Sequence, residues 1–170
     1  MNGNLVIGNL CNLLAMGANA FSSTRKTAKG VLHVQNFGQL MYFITGIVLR
    51  GYSAAVQNAV GILRNLTAIW NIKSKILEWI LTAAGVILGV VFNNRGLVGL
   101  LPVAANFEYT LSIFRFKDNE RAIKIAFLIS SVSYVIFNIA IRNYVGAACD
   151  LTVVITTAVV LVRGKKNKQA

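Results

Sequence analysis

The chain has 170 residues, of which 56% are hydrophobic and 13% charged, with a formal net charge of +12 and a mean hydropathy of +0.64. It is too apolar for a soluble domain of ordinary composition and reads as an integral membrane protein. A nucleic-acid-binding protein, the usual reading of so basic a chain, is excluded by where the cations fall.

A bilayer core about 30 Å thick takes roughly 20 apolar helical residues per crossing. The chain divides into seven such segments, near residues 5–21, 31–49, 52–70, 76–93, 97–114, 122–140 and 144–162, with short polar joints between them. The first ends in "LLAMGANA", where Ala18-Asn19-Ala20 offers a signal-peptidase pattern. The leading "MNGN" has no positive side chain, and cleavage would send the next cations outside, so the segment is kept as a span. Arg25, Lys26 and Lys29 follow span one, Lys73 and Lys75 follow span three, and Arg115, Lys117, Arg121 and Lys124 surround the joint after span five. Arg163, Lys165, Lys166 and Lys168 end the chain, making thirteen of the seventeen cations on one side. Arg50, Arg95 and Arg142 fall on the other side, and Arg64 lies inside span three. The positive-inside rule then predicts an external N-terminus and a cytoplasmic C-terminus. Cys11 and Cys149 lie within spans and read as small buried hydrophobes, not as a disulfide framework.

The chain repeats itself. "YFITGIVLRGYSAAVQN" at 42–58 aligns without a gap, 92 residues on, with "YVIFNIAIRNYVGAACD". Tyr42, Ile44, Ile47, Arg50, Tyr52 and Ala55 match Tyr134, Ile136, Ile139, Arg142, Tyr144 and Ala147, and the basic loop at 25–29 falls over 117–121. The expected domains are a first three-helix repeat (1–75), a linker span (76–94) and a second repeat with a basic tail (95–170). Because a unit of three crossings ends facing the wrong way, span four turns the second unit round. The two copies then run parallel about an axis along the membrane normal, with a seam between them where transporters so built hold their solute.

This 3+1+3 plan resembles the SWEET, PQ-loop and nicotinamide riboside (Pnu-type) transporter superfamily. "SAAVQNAVGILRNLTAIWNIKSK" at 53–75 and "LLPV" at 100–103 resemble YgjV-type bacterial inner-membrane proteins more closely. The resemblance implies an all-α, SWEET-like inner-membrane protein and names no substrate. It departs from the sugar-transporting relatives in having only Pro102, with Leu10 opposite it in the first repeat, and no Pro-Gln. Gly46, Gly61 and Gly146 would have to supply the flexibility that prolines supply there.

Ionisable groups inside spans are expensive and are functional candidates by default. Arg64 and Glu108 each lie six residues from the basic end of their spans, so they are expected to pair, either as a gate or solute clamp or as a structural ion pair. Asp150 and its repeat mate Asn58 lie at one depth near the other end. The resemblance implies that the third helix of each unit lines the pathway, which makes these two the main solute-binding candidates, with proton coupling through Asp150 as a hypothesis. Tyr42 and Tyr134 share that depth and read as ligand contacts or interface anchors, with Asn138 and Asn106 as further cavity residues and Gln39 behind them. His33 reads as an interfacial polar residue, and Gly85 and Gly89 as a GxxxG packing face.

No metal-ligand spacing, nucleotide-binding glycine pattern or nucleophile–base pair is present in the sequence, so no enzyme activity and no cofactor or metal is expected. The expected partners are the lipid bilayer and a small polar solute; homo-oligomerisation is left open, since a duplicated chain needs no second copy to form its seam. The sequence therefore predicts a facilitated or proton-coupled transporter working by alternating access. The competing class is a non-transporting membrane protein that binds a ligand or a partner helix.

Overall fold

A computed structural model describes residues 3–49, 51–140 and 143–166. Arg50, Arg142 and Lys168, and the side chains of Lys165 and Lys166, on which the charge and repeat readings partly rest, lie outside the described residues. The protein is all-helical: α1 (Gly3–Ser22), α2 (Ala28–Val48), α3 (Tyr52–Ile69), α4 (Lys75–Val91), a 3-10 turn (Gly96–Gly99), α5 (Leu100–Phe116), α6 (Glu120–Ala140) and α7 (Tyr144–Lys166). Six of the expected spans fall on one helix each, and the fifth, 97–114, begins in the 3-10 turn and continues into α5.

Local chemistry sets the ends. The Thr27 side chain accepts from Gly30 N at 3.1 Å and starts α2 three residues earlier than hydropathy suggests. Ser74 does the same for α4 through Leu77 N, and Asn119 for α6 through Ala122 N. α3 stops at a left-handed Asn71 (φ 54°), where Asn71 N donates to Ala68 O and Ile72 N to Thr67 O, the paired bonds of a Schellman cap.

Four segments, Gly3–Ser22, Gly96–Phe116, Glu120–Ala140 and Tyr144–Gly164, are long and apolar enough to cross a membrane. α4 is very apolar but has only 17 residues, about 26 Å of helix. α2 and α3 are diluted by Gln35, Gln39, Gln57, Arg64 and Asn65, and these polar groups are turned inward. Gln35, Gln57, Arg64 and Asn65 are each at most 2% exposed, whereas Leu10, Leu13, Phe37, Leu63, Ile87 and Ile129 face outward. An apolar exterior around a polar interior inverts the soluble pattern and fits a hydrocarbon surround. Trp70 and Trp79 are exposed beside the joint after α3, and Tyr52 and Tyr144 at the opposite end, as two interfacial belts would require.

Successive helices pack on one another from α1 to α7, so chain direction alternates. The joints holding Arg25, Lys26, Lys73 and Lys117 thereby gather at one end, and those after α2, α4 and α6 at the other. α1 also packs on α7, α3 on α5 and, less extensively, α2 on α6, while α4 touches α3 and α5. Gly46 lets α2 approach α3 closely: a Cβ there would lie 2.9 Å from the Ala55 backbone nitrogen.

At the basic end an apolar plug of Val31, Leu32, Ile69, Ile113 and Ile123 is buried, with the tilted Tyr109 and Phe127 rings packed against it, their centroids 5.6 Å apart. Polar contacts tie the helices there. Ser23 Oγ and Thr157 Oγ1 share a hydrogen bond of 2.6 Å, and Lys124 Nζ, paired with Glu120, donates to Arg25 O at 2.8 Å.

Candidate functional site

Above the plug lies a cavity of about 480 Å³, walled by α1, α2 and α3 on one side and α5, α6 and α7 on the other. Its lining stops at Asn19, Gln39, Arg64, Tyr109 and Phe127 towards the basic end, and at the other end runs out to the exposed Asn94 and Arg95. It is therefore closed at the basic end and reaches the surface at the opposite one.

Two hydrogen-bonded relays cross it. In the first, Gln57 Nε2 donates to Gly85 O at 2.8 Å, and Asn106 Nδ2 donates to Gln57 Oε1 at 2.5 Å. Arg64 Nη1 donates to Asn106 Oδ1 at 2.6 Å and to Thr110 Oγ1 at 3.0 Å, while Arg64 Nε donates to Asn65 Oδ1 at 3.1 Å. A guanidinium can only donate and a carbonyl only accept, so both amides between them are fixed in orientation. The guanidinium also lies 4.6 Å over the Tyr109 ring, and Tyr109 Oη donates to Gln35 Oε1 at 2.5 Å. Gly85 and Gly89, the GxxxG of α4, leave the groove in which the Gln57 amide lies, so this packing face receives a side chain and not a bare helix.

In the second relay, Gly146 N donates to Asn143 Oδ1, Asn143 Nδ2 to Asn138 Oδ1, and Asn138 Nδ2 to Asp150 Oδ2 at 2.7 Å. Tyr42 Oη, from the opposite wall, donates to Asp150 Oδ1 at 3.1 Å. The carboxylate thus joins α7 to α2 across the seam, held by neutral donors.

Seven of the eight expected site residues, Asn58, Asp150, Tyr42, Tyr134, Asn138, Asn106 and Arg64, line this one cavity. Their detailed partners differ from a symmetric expectation. The repeat mate of the Tyr42–Asp150 bond would join Tyr134 to Asn58, yet Asn58 Nδ2 turns back to Ala54 O on its own helix at 2.8 Å. The Tyr134 hydroxyl has no partner among the described residues, which leaves it and Asn58 Oδ1 free at the cavity wall.

Glu108 corrects the sequence reading. It does not line the cavity and does not pair with Arg64; its Oε1 accepts from Ser112 Oγ at 3.1 Å. Depth along the helix brought the two charges level, but at about 100° per residue Glu108 stands roughly 200° round α5 from Asn106 and Thr110, the two residues Arg64 does reach. Sequence reasoning also passed over Gln57, Tyr109 and Thr110. The signal was there as spacing: Gln57 and Arg64 lie seven residues apart on one face of α3, and Asn106, Tyr109 and Thr110 follow helical spacing on the facing side of α5.

A helical bundle with an apolar exterior, four helices among the described residues fit to cross a bilayer, and buried amides and an arginine turned to its central cavity is an integral membrane protein. The model of the Imp-YgjV family, described as bacterial inner membrane protein, matches residues 6–168. The chain belongs to that family and resides in the bacterial inner membrane. No curated protein and no solved structure matches it.

Proposed function

We propose that this protein carries a small polar solute across the bacterial inner membrane by alternating access between two parallel three-helix units, α1–α3 and α5–α7, joined by α4. On this reading all seven helices cross, the N-terminus is outside, and the basic end with its plug is cytoplasmic, so the cavity is open outward. The observation that carries the reading is the cavity itself: solute-sized, lined with amides and hydroxyls, reaching the surface at one end and sealed at the other. The helix contacts support the duplicated plan. Exchanging α1, α2 and α3 for α5, α6 and α7 turns the α1–α2 contact into α5–α6, α2–α3 into α6–α7 and α1–α7 into α5–α3, while α2–α6 maps onto itself. Only the contacts of α4 break the exchange, as a linker should.

The test is thermal stabilisation of the purified protein by sugars, nucleosides, vitamins and amino acids, followed by uptake of any stabilising compound into proteoliposomes. The proposal expects one chemical class to stabilise the wild type, Asn58→Ala and Asp150→Ala to lose the shift, and the same class to accumulate by counterflow. A compound that binds tightly but never crosses would favour the ligand-binding alternative.

A further inference from the structure

Arg64 is the most demanding group in the bundle. Its side chain is 1% exposed, yet all three of its hydrogen-bond acceptors, Asn65 Oδ1, Asn106 Oδ1 and Thr110 Oγ1, are neutral. Among the described residues no carboxylate lies within ion-pair distance of it. Glu108 is turned to Ser112, and Asp150 has both oxygens occupied in the other relay. Its Nε and Nη1 are engaged, whereas Nη2 has no acceptor among the described residues. A guanidinium at membrane depth held only by dipoles is costly, and buried charges of this kind are normally paired.

The rest of the cavity points the same way. Among the described residues its lining carries three charged side chains, Arg64 at the floor, Arg95 at the exposed mouth, and Asp150 on the α7 wall. Two cations against one anion leave a net positive cavity, with the mouth cation placed to draw anions in. The relay makes the preference rigid. Asn106 cannot turn its amide to suit a neutral solute, because Oδ1 is committed to Arg64 and Nδ2 to Gln57.

From this geometry we propose that Arg64 is an anion subsite: the solute carries an acidic group, a carboxylate or a phosphate, which seats against the free Nη2 edge at the cavity floor. The inference deepens the transport reading and rests on it for the cavity's being a solute site. The uncharged end of the solute then lies towards Tyr134 and Asn58, whose free oxygens take hydrogen bonds from or give them to hydroxyl and amine groups.

The test needs no knowledge of the full solute. The purified protein is titrated with acetate, inorganic phosphate and acetamide, the last being the uncharged counterpart of acetate, in the same background salt. The expected result is a saturable rise in Tm of about 2–4 °C with acetate or phosphate and none with acetamide. Whichever anion acts identifies the acidic group. Arg64→Gln abolishes the rise, and Arg64→Lys keeps part of it. An equal response of wild type and Arg64→Gln, acetamide matching acetate, or no response to either anion overturns the proposal. If Arg64→Gln does not fold, Arg64→Lys and Arg95→Gln carry the test: the anion rise is expected to shrink in the first and persist in the second, and the reverse pattern overturns the proposal. An anion rise without solute uptake into proteoliposomes keeps the subsite and removes the transport reading; uptake of uncharged solutes without anion preference does the reverse.

Discussion

At the scale of single residues, the cavity holds two kinds of polar group that sequence alone does not separate: those bonded to the protein and those without a partner among the described residues. Asn106 is bonded. Asn106→Leu strands the Gln57 acceptor and one Arg64 donor, so it should cost about 2 kcal/mol and lower Tm by several degrees. Tyr134 is free, because its hydroxyl bonds nothing among the described residues. Tyr134→Phe should leave Tm within about 1–2 °C of wild type. It should nonetheless weaken binding of whichever solute stabilises the protein by about 2- to 10-fold in titration calorimetry. Equal loss of stability in the two variants would remove the distinction. The sequence could nominate Asn106 and Tyr134 as polar residues inside spans. It could not tell that one sits between an arginine and a glutamine while the other faces open space.

At the scale of helices, length and hydropathy made the seven α-helices legible, though not the 3-10 turn at Gly96–Gly99 inside the fifth segment. Depth along each helix was legible too, which is how Asn58, Asp150, Tyr42 and Tyr134 were brought to one cavity. Rotation about the helix axis was the weak coordinate. An amphipathic soluble helix shows its buried face through hydropathy, but here the outward faces of α3 and α5 carry apolar residues such as Leu63, Phe107 and Leu111, so hydropathy does not give the rotation, and Glu108 was paired with Arg64 for that reason. Glycines have a packing role that hydropathy does not show. Gly46, named for flexibility in the sequence, sits where α2 comes close to α3, and a Cβ there would meet the backbone of Ala55. Gly46→Leu is therefore expected to overpack this contact, costing about 1–3 kcal/mol by thermal or chemical unfolding. Unchanged stability would show that the two helices separate there freely.

At the scale of the whole molecule, the two ends of the seam are built differently. The basic end is sealed by aliphatic packing and by few polar latches, Ser23 with Thr157 and Lys124 with Arg25 and Glu120. The other end has the Asp150–Tyr42 bond across an otherwise open cavity. On the proposed alternating-access reading, rocking has to break the two contacts Ser23–Thr157 and Lys124–Arg25 and narrow the open end, and latches worth about 1 kcal/mol each can be traded at physiological rates. Removing a latch should therefore shift the population towards the form open at the basic end.

The most direct measurement is two-sided labelling of a single cysteine at the cavity wall. Tyr134→Cys, in a background with Cys11→Ala and Cys149→Ala, is exposed to a membrane-impermeant maleimide in right-side-out and in inverted inner-membrane vesicles. The account predicts fast labelling from the outer face, slower labelling from the cytoplasmic face, and an increase in the cytoplasmic rate when Lys124→Gln is added. Labelling from the outer face alone, with or without Lys124→Gln, would contradict alternating access and leave a cavity that binds without moving its solute.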